Sequence, residues 1–246
     1  MATLTIVEKQ SAILLDATPC ELGPDRLSRT ECQLAELVEP AECELLLEQG
    51  WRRLGPIFFR HSCPDCCGCR SLRVIVDRFR PDRSQRRAAR ACERIVRLVI
   101  GRPELSLEKV RLYDAFHAFR TRTRGWAAEG GGNVEQYLRS FILNPLPTQE
   151  WRYFIGGRLA AVGYVDALPR SLNAIQFFHD PDDRGLSLGT FNVLSLLDVA
   201  ASRGLGHVYL GYHLASSPSL AYKAAFVPNQ LYHEDGAWRD FRSRRE

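Results

Sequence analysis

The stretch from Cys63 to Arg87 constrains the fold of this chain more than any other part of its sequence. It begins with four cysteines among seven residues, continues with an apolar run from Leu72 to Val76, and ends in a cluster of arginines. Ten arginines lie between Arg70 and Arg97, with only three acidic residues among them. We therefore expect a rigid cysteine-rich corner, a strand and a basic helix that presents guanidinium groups to phosphate.

The overall composition predicts an ordinary globular protein. With 246 residues, of which 45% are hydrophobic and 25% charged, the chain can bury a full core as one large domain or two smaller ones. It has no apolar run of about 18 residues, and its first residues lack the layout of a signal peptide. We therefore expect a cytoplasmic protein with no membrane partner. Its eight cysteines are then reduced thiols, metal ligands or redox groups rather than a disulfide framework.

Charge is distributed unevenly along the chain, although the net charge is only +4. Residues 1–50 carry ten acidic groups and three basic ones, whereas the segment after Cys69 is strongly basic. This asymmetry indicates a polyanionic partner for one face. The alternative is that the two segments pack against each other.

Local patterns predict the elements of the first half. A helix opens at Pro40 and ends at Gly50, and a hairpin turns at Gly55-Pro56. After the strand Leu72–Val76, Asp82 or Ser84 caps a helix that runs to about Ile100. Another helix follows Pro103.

The second half has a different order of elements. We expect a hairpin, a third strand, a strongly apolar helix, a further strand and a short terminal helix, over residues 151–166, 172–178, 187–203, 208–210 and 219–226. This is the order of an α/β unit whose sheet opens to admit a ligand.

A series of short motifs extends over nearly the whole chain. They are Gly50-Trp51-Arg52-Arg53, Cys63-x-x-Cys66-x-x-Cys69, Phe79-x-Pro81-x-Arg83-Ser84-Gln85-Arg86-Arg87, Leu112-Tyr113, Asp180-Pro181-Asp182, Ser187-Leu188-Gly189-Thr190, Tyr209-Leu210-Gly211-Tyr212 and Ala221-Tyr222-Lys223-x-x-Phe226-x-Pro228. In these motifs the chain resembles the aminoacyl-tRNA–protein transferases, which comprise the arginyltransferases and the bacterial leucyltransferases.

The resemblance implies an α+β fold. A GNAT-like acyltransferase domain at residues 101–246 would carry a cysteine-bearing α/β domain, residues 1–100, packed on it. It also implies an aminoacyltransferase that moves Leu or Arg from its aminoacyl-tRNA to proteins that begin with Asp or Glu, marking them for degradation in the N-end rule pathway. The chain departs from the family pattern near the implied active site, at Leu22, Thr121, Gln176, Leu186 and His213.

Four residues after the final strand and on the terminal helix are candidate catalytic groups: Tyr212, His213, Tyr222 and Lys223. His213 could accept the proton of the attacking amine, because the pKa of a free histidine lies near the range that this requires. Lys223 can pair with the acidic side chain of the substrate or with phosphate. Each has a purely structural alternative, as a core aromatic, a buried histidine or a solvated lysine.

Two groups of residues are candidate substrate contacts. The free backbone N–H groups of Ser187, Leu188 and Gly189 at a helix start suit a phosphate or an oxyanion, although a tight turn explains the same glycine. The resemblance adds Asp180 and Gln176. Helical spacing places four arginines on one face: Arg83, Arg86, Arg87 and Arg90. We expect them to contact the tRNA acceptor stem. The alternative is a solvated surface.

The clustered cysteines are candidate metal ligands. Four thiolates suffice for a tetrahedral zinc ion or an iron–sulfur cluster, and the candidates are Cys20, Cys63, Cys66, Cys67 and Cys69. The alternative is a set of reduced structural thiols. The transfer chemistry itself requires no cofactor.

Two other classes of function compete with the transferase. One is a catalytically inactive GNAT-like protein that binds nucleic acid through a zinc-ribbon-like module. The other, an acetyl-CoA-dependent acyltransferase, is disfavoured because residues 183–189 lack the Arg/Gln-x-x-Gly-x-Gly/Ala pyrophosphate loop.

Overall fold

The computed structural model describes residues 12–20, 22–126 and 132–242. The elements of the N-terminal half are β1 (Ile13–Leu14), β2 (Thr18–Cys20), β3 (Gly23–Ser28), β4 (Thr30–Leu34), α1 (Pro40–Glu48), β5 (Arg52–Leu54), β6 (Ile57–His61), β7 (Arg70–Ile75), α2 (Arg83–Glu93) and β8 (Val96–Gly101).

The second half continues with helices and longer strands. They are α3 (Leu107–Arg124), α4 (Val134–Tyr137) with a π-helical turn (Leu138–Ile142), β9 (Thr148–Ile155), β10 (Arg158–Ala167), β11 (Ser171–His179), a 3-10 helix (Pro181–Leu186), α5 (Leu188–Ser202), β12 (His207–His213), α6 (Pro218–Ala221) with a 3-10 turn (Tyr222–Ala225), β13 (Asn229–Tyr232) and β14 (Trp238–Arg242).

Within the described ranges, eight strands form a central sheet in the order β14-β13-β7-β12-β11-β10-β9-β8. Its neighbouring strands are antiparallel except β11 and β12, which run parallel. The N-terminal sheet, in the order β1-β4-β6-β5, and the hairpin β2-β3 lie outside it. The architecture is therefore mixed α and β with several sheets.

Both faces of the central sheet are covered, because successive side chains of a strand point to opposite faces. On β10, Val165 packs in the cluster that contains Leu196 of α5. Val162 and Tyr164 pack instead with Phe116 of α3. Each fully buried side chain of this size contributes about 1.5–3 kcal/mol to folding. Helix α5 thus covers one face and α3 the other.

The N-terminal sheet joins the central sheet through a buried ion pair. Arg53 of β5 donates from Nη2 to Asp166 Oδ1 of β10 over 2.6 Å and from Nε to Oδ2 over 3.1 Å, and both side chains are fully buried. Thr148 and Asn173 also donate to the same carboxylate. Removing one partner of such a pair costs about 3–5 kcal/mol, so this contact fixes how the two sheets meet.

Most of the predicted elements are confirmed. The hairpins at Gly55-Pro56 and Gly156-Gly157 are present, and Asp82 caps α2 in a capping box with Gln85. The prediction that this helix runs to Ile100 is wrong. It ends at Glu93, and β-branched residues that favour strands then form β8, which pairs with the edge of β9.

The central sheet takes β7 and β8 from residues 70–101 of the chain. The division into domains 1–100 and 101–246 stays a prediction. Across the part of the chain that the structure describes, no helix is long and apolar enough to cross a membrane.

Candidate functional site

The central sheet opens between its two parallel strands. β11 and β12 pair only through their first three residues, and the last pair is Asn173 with Tyr209. β11 continues to His179 and β12 to His213, so the strands separate for the rest of their length. Gln176 on β11 and Tyr212 on β12 lie beyond the point of separation.

A cleft of about 920 Å³ lies at this opening. Gln176 and Tyr212 line it from the two strands. Other walls come from the cysteine-rich segment and β2-β3, from the end of α3, and from residues 217–220 before and within α6. The volume falls in the range of small-molecule and cofactor sites.

Aromatic and imidazole rings form one wall of the cleft. The Tyr113 ring lies 4.5 Å from that of His117, and His117 lies 5.2 Å from Trp126. The Trp126 indole N–H donates to Ser219 Oγ over 3.2 Å, which ties the end of α3 to α6. Such rings suit the faces of a nucleobase or an apolar side chain.

His61, at the end of β6, meets Tyr212 at the cleft. Their ring centroids are 4.7 Å apart. Burial lowers the pKa of His61, and its Nδ1 has no hydrogen-bond partner among the described residues. Burial raises the pKa of Tyr212 to about 12. At neutral pH this pair is therefore a neutral imidazole beside a protonated phenol.

The four predicted catalytic residues are not brought together in the cleft. Of Tyr212, His213, Tyr222 and Lys223, only Tyr212 is among its described lining residues. His213 is buried, packs at 5.2 Å from the Phe241 ring, and has its pKa lowered by burial. Tyr222 is exposed. Lys223 lies behind Tyr212, where Nζ donates to the Tyr212 carbonyl over 3.0 Å and burial lowers its pKa to about 7.

The predicted anion-binding loop follows β11. Ser187 adopts a left-handed conformation (φ 53°) just before α5, Leu188 is buried, and the space around Gly189 is open. Asp180 forms an ion pair with Arg158 over 2.7 Å and accepts the Asp182 N–H. None of these residues is among the described lining residues of the cleft.

The predicted tRNA-binding arginines lie on the exposed side of α2. Arg83, Arg86, Arg87 and Arg90 are all exposed. The opposite side of the helix is anchored: Gln85 donates to the Ala225 carbonyl, and Cys92 Sγ donates to the Leu186 carbonyl over 3.1 Å. These contacts fix the basic face beside the loop that leads into α5.

Five cysteines line one end of the cleft: Cys20, Cys63, Cys66, Cys67 and Cys69. The Gly68 N–H and the Arg26 guanidinium donate to Cys66 Sγ over 3.4 and 3.3 Å and lower its pKa. Burial, and then the nearby thiols, raise the pKa of Cys69 to about 11. Across the described ranges, no three His, Cys, Asp or Glu side chains are placed to hold a metal ion.

Sequence reasoning did not identify His61, His117 or Trp126. The one available signal was the i, i+4 spacing of Tyr113 and His117, which places both on one side of α3. Aromatic residues at that spacing are also typical of a helix core. His61 and Trp126 reach the cleft only through tertiary contacts.

Comparisons with known proteins find matches over both halves of the chain. The C-terminal model of the arginine-tRNA-protein transferases matches residues 108–233, and their N-terminal model matches residues 18–87. An aspartate/glutamate leucyltransferase of Campylobacter jejuni subsp. jejuni is 32% identical over 213 residues, which cover 86% of this chain and 88% of that protein. The one from Halorhodospira halophila is 37% identical over 196 residues, which cover 80% and 82%.

A solved structure, L-PGS from Bacillus licheniformis, overlaps with a TM-score of 0.42 at 15% identity, covering 70% of this chain and 50% of that one. This overlap is too small to establish a shared fold.

Proposed function

Because the chain belongs to the arginine-tRNA-protein transferase family, we propose that its cleft joins an amino acid from aminoacyl-tRNA to a protein N-terminus. The chain is an aminoacyltransferase whose partners are aminoacyl-tRNA and proteins that begin with Asp or Glu. Its reaction belongs to the N-end rule pathway of protein degradation. Since charged tRNA is made in the cytoplasm, we place the protein there.

The observation that carries the proposal is the position of the cleft. It lies at the opening between β11 and β12, and the exposed arginines of α2 are fixed beside the β11–α5 loop. An acceptor stem held on α2 would bring its acylated end toward the opening. The order of β9, β10, β11, α5 and β12, with its single described parallel pair, supports a GNAT-like acyltransferase domain for residues 101–246.

Leucine is the amino acid that the cleft supports best. The two relatives described above are leucyltransferases by name. The wall formed by Tyr113, Trp126 and Leu220 is largely apolar, which suits a branched aliphatic side chain better than a guanidinium group.

The chemistry requires an amine to attack an ester that is already activated. The amine nitrogen forms a bond to the ester carbonyl carbon, the carbon–oxygen bond to the ribose breaks, and one proton passes from the amine to the ribose oxygen. The neutral imidazole of His61 can accept that proton and return it. The protonated Tyr212 hydroxyl can donate to the oxyanion, and orientation of the two substrates supplies most of the remaining acceleration.

The predicted contacts outside the cleft keep a place in this proposal. The end of the tRNA would enter the cleft over an edge formed by Ser187, Leu188, Gly189 and Asp180. Gln176, which lines the cleft, would form the floor of the cleft. Lys223 would support Tyr212 from behind through its hydrogen bond to the Tyr212 carbonyl. His213 and Tyr222 stay predicted catalytic residues.

Binding of zinc or an iron–sulfur cluster by the cysteines stays a proposal. Its support is that Cys20, Cys63, Cys66 and Cys69 lie near one another at one end of the cleft. Their described arrangement does not fit a metal site, so no step of transfer is derived through one. Metal analysis and a visible spectrum of anaerobically purified protein test this point.

A transfer assay tests the function. Radiolabelled Leu-tRNA and Arg-tRNA are each offered with peptides that differ only in an N-terminal Asp, Glu or Ala. We expect label from Leu-tRNA on the Asp and Glu peptides and none on the Ala peptide. Label from Arg-tRNA alone would refute the choice of leucine, and no transfer from either tRNA would refute the function.

A further inference from the structure

Arg52 is a buried cation that the proposed chemistry does not use. It belongs to the Gly50–Arg53 motif and lies on β5, yet its side chain reaches into the central sheet. Nη1 donates to Asn173 Oδ1 over 3.0 Å, and Nη2 donates to the Ala174 carbonyl over 2.9 Å. Both partners belong to β11.

These contacts occur where the two parallel strands separate. Asn173 is in the last pair with β12, and Ala174 is the first residue of β11 beyond the pairing. A partly buried backbone carbonyl beyond the strand pairing takes its hydrogen bond from another donor. At Ala174 that donor is the guanidinium group.

On the other side, the guanidinium group lies against β12. Gly211 has φ +80° and sits at an irregularity in the pairing of β12 with β7. A Cβ atom at Gly211 would lie 2.9 Å from Arg52 Nη2 and 3.2 Å from Cζ. Glycine is therefore required here by backbone conformation and by the close approach of Arg52.

The charge of Arg52 also reaches the residues behind Tyr212. Burial lowers the pKa of Lys223 to about 7, and the positive charge of Arg52 contributes to the same shift. Lys223 Nζ donates to the Tyr212 carbonyl. Burial, and to a smaller extent the charge of Lys223, lower the pKa of His213 on β12. Nearby Asp166 is hydrogen-bonded to Arg53.

We propose that Arg52 is a positioning residue that holds β11 and β12 apart and so sets Gln176 and Tyr212 on opposite sides of the cleft floor. Its guanidinium group occupies the point of separation, with two hydrogen bonds to one strand and contact with the other. The catalytic part of this role rests on the proposed function.

Replacement of Arg52 tests the role. Arg52→Met should lower kcat about 100-fold, because a displacement of about 1 Å in the reacting groups has that effect. KM for aminoacyl-tRNA should stay within about twofold, since α2 is untouched. Arg52→Lys keeps the charge and a single donor nitrogen, and should recover part of kcat. Arg170→Gln, which removes a surface arginine paired with Glu44, serves as the control. Wild-type kcat in folded Arg52→Met would overturn the proposal.

A second variant decides the matter if Arg52→Met does not fold. Gly211→Ala keeps every hydrogen-bonding group but presses a methyl group onto the guanidinium. It should lower kcat with little change in KM for aminoacyl-tRNA. Unchanged kcat in folded Gly211→Ala would contradict the proposal.

A titration separates this proposal from the proposed function. The chain has three lysines, so ¹³C-dimethylation yields few signals, and the Lys223→Arg variant assigns the relevant one. The midpoint of Lys223 should rise in Arg52→Met or Arg52→Gln, because a neighbouring positive charge is removed while the burial of Lys223 remains. An unmoved midpoint would contradict the placement of Arg52. If the wild-type protein transfers no amino acid, but the Lys223 midpoint rises in the Arg52 variants, only the proposed function is refuted.

Discussion

His61 and Tyr212 come from different sheets and meet at the cleft, which makes their pairing the most specific chemical feature of the site. Burial lowers the pKa of His61 below its ordinary value, so its imidazole stays neutral, and able to accept a proton, through neutral pH. The acidic limb of the kcat profile should therefore lie below about pH 6.5.

We expect His61→Gln to lower kcat by about 10²–10⁴ and to remove that acidic limb, since general base catalysis has this magnitude. His207→Gln, on the paired part of β12 away from the cleft lining, is the control and should keep the profile. If the limb disappears in His213→Gln and persists in His61→Gln, the proton acceptor is His213 and our assignment is wrong.

At the scale of single residues, the sequence pattern indicated only part of the cleft lining. Tyr212 and Gln176 line the cleft, and so do the five cysteines. His213 follows Tyr212 directly on β12 but packs against Phe241, because neighbouring residues of a strand point to opposite faces. Lys223 lies eleven residues after Tyr212, in the 3-10 turn, and donates to the Tyr212 carbonyl. His61 has no local pattern, since only the meeting of β6 with β12 gives it a partner.

At the scale of elements, α2 combines an anchored side with an exposed basic side. Replacing Arg86 and Arg87 by Gln should weaken binding of aminoacyl-tRNA and reduce the slope of log Kd against log salt by about 2, since each arginine neutralises about one phosphate. Fluorescence anisotropy across a salt series measures both quantities.

The matched control is replacement of two exposed arginines outside this helix, Arg102 and Arg111. Both proteins lose two positive charges, so a general effect of net charge lowers the slope equally. An equal slope for the two double variants would show that α2 has no special part in holding the RNA.

The elements themselves were largely predictable because their signals are local. Capping residues, hairpin glycines and apolar periodicity identified α1, α2, β9, β10 and α5. β8 was missed because Ile95 to Ile100 follows a helix without a glycine or proline between them. Its conformation depends on the free edge of β9, a tertiary feature that no local pattern contains.

At the scale of the whole molecule, the site exists because two sheets meet. Arg53 fixes the N-terminal sheet to β10 through Asp166, and Arg52 enters the central sheet where β11 and β12 part. The cysteine-rich end, the aromatic wall and Tyr212 then surround one cleft. Matches to the family extend over both halves of the chain, and both halves line this cleft.

The central claim is that the acylated end of the tRNA enters this cleft. Photocrosslinking measures it directly, with Leu-tRNA that carries a photoreactive group on its terminal adenine and peptide mapping by mass spectrometry. Crosslinks should fall in residues 113–126 and 212–220, and excess unlabelled aminoacyl-tRNA should suppress them. Suppressible crosslinks confined to the outer strands of the N-terminal sheet, in protein that still transfers leucine, would contradict the claim.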